Sequence, residues 1–237
     1  MIRAILFDFG QTLVDSSTGF RRAEKDAQKT LFADLGVKDW AAFLADYRRL
    51  RQAFHARSDF SRLALWTQVY RHFDREPSQP FLSAAEQAYW GTVKKHTQPF
   101  PDTRAVLARL AATHRLAMIT NTQGQGTANT HRLALFPRIE GFFEVIIVAG
   151  EAGIPPKPNP LPFQTCLAQL AIAPHEAIFV GDDWRIDIRG AQAVGIHPVW
   201  LQHHSVSRNW PVVKTSVPII TCLEHLIELI QTFREKQ

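Results

Sequence analysis

Ala4-Ile5-Leu6-Phe7 is an unbroken apolar run that ends on a charged residue and a glycine turn, Asp8-Phe9-Gly10. A run this short, without polar interruption, predicts a strand buried on both faces. Similar runs recur at Arg115 to Thr120, Glu144 to Val148, Ala177 to Val180, Ile196 to Leu201 and Val217 to Thr221. Between them apolar residues return at helical spacing. The helices expected are Asp102 to Ala112, with Asp102 as N-cap, then Pro162 to Leu170, one from after Asp183 to Val194, and Leu223 to Phe233. Another is expected to end near Leu135, before Pro137. Strands alternating with helices predict an α/β fold built on a parallel sheet covered on both faces.

From Gly19 to His96 the pattern is helical, with no convincing strand. Ala27, Leu31, Phe32 and Leu35 mark one helix, which Gly36 stops. Trp40 to Ala56, Leu63 to Phe73 and Ala84 to His96 mark three more, joined by loops at Ser58-Asp59 and Pro77-Ser78-Gln79-Pro80. Four helices with short connections make a small bundle, inserted between the first strand and its partner. The expected division is a core domain of residues 1–15 and 99–237 and a helical domain of residues 16–98.

The 237 residues, 46% hydrophobic with 16 Phe, suffice for one large domain or a main domain carrying an insertion. Met1-Ile2-Arg3-Ala4 lacks the pattern of a secretory signal, and no apolar run approaches the roughly 18 residues of a membrane span. Cys166 and Cys222 lie far apart, each in a helix-like pattern without metal spacing, and read as small buried hydrophobes. These features predict a soluble cytoplasmic protein. Oligomeric state leaves no trace in the sequence.

The net charge of +5 is localised. Residues 16–98 hold 14 Lys and Arg against 9 Asp and Glu, whereas the remainder holds 13 against 13. A solvated helix surface explains this as well as a field that attracts a small anion. Arg21, Arg22, His55, Arg57 and Arg62 are the loose candidates for the second role. No Lys/Arg run or nucleic-acid motif is present, so nucleic acid is not the expected partner.

Three strands end in polar residues: Asp8, then Thr120-Asn121, then Gly181-Asp182-Asp183 with Asp187 beyond. Parallel strands would bring these ends to one edge of the sheet, where ligands bind in such folds. Converging carboxylates repel each other, and a hard cation such as Mg²⁺ relieves that. Lys157, in the proline-stiffened Pro155-Pro156-Lys157-Pro158-Asn159-Pro160, is an isolated cation that could serve the same edge. Taken singly, Asp8 is as readily a turn residue and Lys157 a surface lysine; their joint order tips the balance.

The ordered set Asp8-Phe9-Gly10-Gln11-Thr12-Leu13, Thr120-Asn121, Lys157-Pro158-Asn159-Pro160 and Gly181-Asp182-Asp183 with Asp187 resembles the haloacid dehalogenase (HAD) superfamily, over nearly the whole chain. The resemblance implies a Rossmann-like core and a helical cap. It implies Asp8 as a nucleophile that becomes an aspartyl-phosphate. Thr120, Asn121 and Lys157 are implied at the phosphoryl group, with Thr120 and Lys157 balancing its charge. Asp8, the Gly10 carbonyl, Asp182 and Asp187 are implied as Mg²⁺ ligands, with Asp183 as the alternative to Asp187. One position departs from the pattern: Gly10 stands where most phosphatases of the superfamily carry an acid-base Asp. General acid-base catalysis is worth about 10²–10⁴-fold. The leading expectation is a Mg²⁺-dependent phosphatase of a small phosphorylated metabolite. A metal-independent dehalogenase, or a weakly catalytic binding descendant, are the alternatives that Gly10 supports.

Overall fold

The computed structural model describes residues 1–122, 132–206 and 208–235. Its strands are β1 (Ala4–Phe7), β2 (Val14–Asp15), β3 (Gln98–Pro99), β4 (Arg115–Asn121), β5 (Val145–Ala149), β6 (Ala177–Gly181), β7 (His197–Leu201) and β8 (Ile219–Ile220). Its helices are α1 (Ser17–Leu35), α2 (Trp40–Ala56), α3 (Arg62–His72), α4 (Gln79–Lys95), α5 (Thr103–Ala111), α6 (Pro137–Glu140), α7 (Pro160–Leu170), α8 (Arg189–Ala193) and α9 (Glu224–Glu235). Six strands form a parallel sheet in the order β5-β4-β1-β6-β7-β8.

The apolar run of β1 lies in the middle of that sheet because both its faces are covered. Ile5 and Phe7 enter a core shared with Met118, Val180 and Leu226, whereas Ala4 and Leu6 enter another with Ile119, Phe163 and Phe179. All four are fully buried. Phe7 is level with Met118 of β4 and Val180 of β6. The next residue, Asp8, therefore emerges between the ends of two neighbouring strands.

The chain falls into two units. One takes the described residues of Met1–Ser17, Gln98–Asn121 and Arg132–Gln237; Thr18–Thr97 makes up most of the other. β2 and β3 pair antiparallel where the chain leaves the first unit and where it returns. This ribbon carries no sequence signal, being two residues long on each side. In the helical unit, Phe43, Tyr47, Trp66 and Trp90 are buried together. Gly36, at φ +64°, ends α1 in the left-handed conformation that glycine adopts without strain.

Two local expectations need correction. α4 begins at Gln79, five residues before Ala84, because Ser78 accepts from the Phe81 amide and Pro80 fits the first turn. Asp102 precedes α5 without capping it through its side chain; Oδ2 instead accepts from the Leu223 amide at 3.1 Å. Most of the helix expected before Pro137 lies outside the described residues, and Arg132–Leu135 forms a 3₁₀ turn. Among the described residues, no helix is long and apolar enough to cross a membrane.

Inside the helical unit, the buried Glu24 faces Arg51 at 3.1 Å and Arg62 at 3.9 Å, and accepts from the Tyr89 hydroxyl at 3.3 Å. Burial pushes its carboxyl up, but Arg62 and Arg51 outweigh it and hold the pKa below 4.5. A depressed folded-state pKa gives stability that is complete above 4.5 and lost as pH falls through the folded value. Glu24→Gln, which leaves Arg62 buried without its partner, is expected to cost about 3 kcal/mol near neutral pH. Urea unfolding across the acid range should show the variant losing less stability than the parent as pH falls.

Candidate active site

Asp8 is buried at the end of β1, its amide bonded to the Val180 carbonyl at 2.9 Å. Lys157, on the segment between β5 and α7, reaches it from across the sheet edge. Lys157 Nζ lies 2.9 Å from Asp8 Oδ1, 2.7 Å from Asp187 Oδ1 and 2.7 Å from the Ile119 carbonyl. The ammonium has three protons, and these partners use them all. The side chain is only 1% exposed. Burial alone would lower its pKa, but Asp187 and Asp8 reverse this and push it up to about 12. Lys157 is therefore a fixed positive charge.

Asn121 sets where that charge sits. Its Oδ1 accepts from the Lys157 amide at 2.7 Å, and its Nδ2 donates to the Lys157 carbonyl at 3.0 Å. The side chain imitates a strand partner and clamps the lysine's backbone. Thr120, one residue earlier, is buried at the same edge, level with Val148 of β5.

Beyond β6 the chain makes a wide, π-type turn over Trp184–Ile188. Asp183 caps it, its Oδ1 accepting from the Arg185 and Ile186 amides, each at 2.9 Å. Asp187 Oδ2 accepts from the Asp183 amide at 3.0 Å, which turns the Asp187 carboxylate back toward the strand end. Gly181 makes room for it: a Cβ there would come within 2.5 Å of the Asp187 side chain.

The result is an acidic pocket. Asp8, Asp182 and Asp187 each offer a carboxylate oxygen, and the three lie within 4.8 Å of one another. Burial pushes Asp187 up to about 7, with Asp8 and Asp183 adding to the effect and Lys157 opposing it. Burial also drives Asp182 well above the usual carboxylate range, against the pull of Arg208. Buried anionic oxygens this close together suit a hard cation, and an all-oxygen donor set suits Mg²⁺. Asp183 is spent on its cap and on Arg208, so Asp187 is the better-placed third carboxylate.

Gly10 lies in the turn after Asp8. A Cβ at Gly10 would lie 3.3 Å from Arg132 Nη2. Arg132 is buried, donates to Ser16 Oγ, and stands 5.5 Å over the Phe9 ring. Gln11 takes φ +62°, which a side-chain-bearing residue adopts only at a cost in strain.

In the helical unit, Arg21, His55 and Arg62 line a cavity of about 600 Å³, together with Lys25, Arg48 and Arg51. Arg22 and Arg57 do not: Arg22 meets His96 at 3.2 Å, and Arg57 stacks on Phe54 and faces Asp59. Sequence reasoning missed Arg48, Arg51, Arg132 and Arg208. None lies in a motif, and their proximities arise from folding alone.

A sequence profile of haloacid dehalogenase-like hydrolases matches residues 2–195. The chain is 27% identical to a glyceraldehyde 3-phosphate phosphatase of Methanopyrus kandleri, across 99% of this chain and 98% of the relative. It is 32% identical to a phosphoglycolate phosphatase of Yersinia pestis, across 82% and 78%. Among solved structures, a 2-haloacid dehalogenase of Pseudomonas syringae superposes with a TM-score of 0.67 at 25% identity, covering 98% of this chain and all of that one.

Gly181→Ala should push Asp187 away from Lys157 and Asp8 while leaving the fold intact by circular dichroism. A displacement of about 1 Å at such a centre can cost around 10²-fold in kcat, which steady-state assay would register.

Proposed function

The chain belongs to the haloacid dehalogenase-like hydrolase family, and from that premise we propose that it is a Mg²⁺-dependent phosphatase of a small phosphorylated metabolite, with Asp8 as nucleophile. The observation that carries this reading is the trio Asp8, Asp182 and Asp187, within 4.8 Å of each other, with Asp8 and Asp187 tied to Lys157. Two of the family's phosphatases named above act on small phosphorylated compounds, which supports the substrate class.

An Asp8 oxygen attacks phosphorus, the bond to the leaving oxygen breaks, and an acyl phosphate forms on Asp8. Lys157 Nζ, already beside Asp8, and the Thr120 hydroxyl balance charge on the phosphoryl oxygens. Asp8, the Gly10 carbonyl, Asp182 and Asp187 would hold Mg²⁺, which supplies positive charge toward those same oxygens. Asn121 keeps the lysine in position. Water then attacks phosphorus, the bond to the Asp8 oxygen breaks, and inorganic phosphate leaves carrying the water's proton, which frees Asp8.

Gly10 gives no proton to the leaving group. Its absence costs roughly 3–5 kcal/mol of barrier if nothing replaces it. Such a centre suits leaving groups that depart readily as anions. The basic cavity of the helical unit, carrying five Arg and Lys against Glu24, raises the local concentration of anions.

Displacement at carbon, as in a dehalogenase, is the competing reading, and Gly10 together with the Pseudomonas structure favours it. The acidic trio argues against it, since an ester-forming Asp has no use for a clustered cation site.

Asp8→Asn should lower kcat by at least about 10⁴-fold across a panel of phosphorylated metabolites. Chelation by EDTA should abolish phosphatase turnover and added Mg²⁺ restore it, whereas EDTA-resistant release of halide from 2-haloacids would install the second reading. Gly10→Asp alone should gain at most a few-fold on poor leaving groups, because Arg132 holds the new carboxylate ionised. Gly10→Asp with Arg132→Gln should gain up to about 10²-fold.

A further inference from the structure

Arg208 lies between β7 and β8, in a segment where the described residues form neither strand nor helix. Its guanidinium spans two carboxylates: Nη1 donates to Asp182 Oδ2, and Nη2 to Asp183 Oδ2 at 2.9 Å. An aromatic platform supports it. Arg208 Cζ stands 5.0 Å over the Trp210 ring. Trp210 packs edge-on to Trp200, and Trp200 packs on Trp184 with ring centres 4.9 Å apart. Trp200 Nε1 also donates to the Asp182 carbonyl at 2.9 Å. Three of the six tryptophans of the chain thus form one cluster, in which Trp200 bonds Asp182 and Trp210 supports Arg208.

Formal charges show what this cation does. Asp8, Asp182, Asp183 and Asp187 are met by Lys157 and Arg208. The remainder is two negative charges, which one divalent ion cancels. Lys157 cannot withdraw, since it is buried and fully bonded. Arg208 can: its side chain is 34% exposed and its segment is bound by no strand pairing.

We infer that Arg208 is a resident counter-cation for the acidic pocket, which holds Asp182 when no metal is bound and weakens Mg²⁺ binding by competing for that carboxylate. The inference rests on the Mg²⁺ reading of the trio. In the absence of the ion, Arg208 stabilises carboxylates that would otherwise face one another. When Mg²⁺ enters, Asp182 Oδ2 exchanges the guanidinium for the ion, and Arg208 keeps Asp183 and the Trp210 face. The affinity of the pocket is then set by a residue that touches neither the nucleophile nor the lysine.

The test is calorimetric titration of Mg²⁺ into the full chain without substrate, for the parent, Arg208→Gln and Arg208→Lys, with thermal melts of each. Arg208→Gln is expected to bind Mg²⁺ about tenfold more tightly, the scale on which residues behind metal ligands act. Arg208→Lys, which keeps the charge, should stay within about threefold of the parent. Without metal, Arg208→Gln should melt earlier than the parent, and Mg²⁺ should raise its melting temperature by more. An equal or weaker Kd in Arg208→Gln overturns the inference, as does a Kd for Arg208→Lys that matches Arg208→Gln. Should Arg208→Gln not fold, Trp210→Leu loosens the guanidinium without removing a charge. Tighter Mg²⁺ binding there supports the inference, and an unchanged Kd overturns it. No Mg²⁺ binding in any form would remove the metal reading itself, whereas binding with one shared Kd removes only the part given to Arg208.

Discussion

A lysine ammonium buried at the sheet edge is the constraint on which the rest of the centre depends. Lys157 Nζ is bound at once to Asp8, to Asp187 and to the Ile119 carbonyl. Burying an unpaired ammonium or carboxylate costs several kcal/mol, so each of these groups is tolerable only because the others are present. The arrangement explains features that are otherwise unrelated. Asn121 spends its amide on the lysine's backbone, Gly181 gives up a side chain to admit Asp187, and the wide turn after β6 aims Asp187 inward.

The balance of charge at this edge favours the negative side, and that shapes its chemistry. Two cations against four carboxylates leave a pocket that repels a phosphoryl group until further positive charge is added. On the proposed reading, a divalent ion would supply it and would also relieve the desolvated Asp182 and Asp187. The centre is thus arranged for charge stabilisation more than for proton transfer. Gly10 and its neighbour Arg132 reinforce that character, because a guanidinium stays protonated and has no proton to exchange at neutral pH. The helical unit holds a basic cavity of its own, in which Glu24, locked to Arg51 and Arg62, is the one acidic group among the described residues.

The strands, the helical run of the insertion and the polar strand ends were legible because each is written locally. β1 is an uninterrupted apolar run with both faces buried, and Gly36 stops α1 by its positive φ. Thr120 and Asn121 end β4, and Asp8 and Asp182 directly follow β1 and β6, so parallel pairing carries these four to one edge, whereas Asp187 is brought back there by the wide turn after β6. The start of α4 misled because Pro80 reads as a breaker, although the first helical turn accepts it. The cap expected from Asp102 failed because its backbone is already helical, at φ −85° and ψ −16°, and its side chain turns instead to the Leu223 amide, distant in sequence.

By itself, the sequence determined the class of fold, the polar strand ends and the excess of positive charge in the insertion, since periodicity and composition require no knowledge of distant neighbours. Tertiary structure alone decided which cations meet which carboxylates. Arg208 beside Asp182 and Arg132 beside Gly10 come from loops and turns without periodicity or motif, and ion pairing across long sequence separations leaves no local pattern to read. The same holds for the basic cavity, where Arg21 and Arg62 line one wall system while Arg22 and Arg57, equally basic, lie elsewhere.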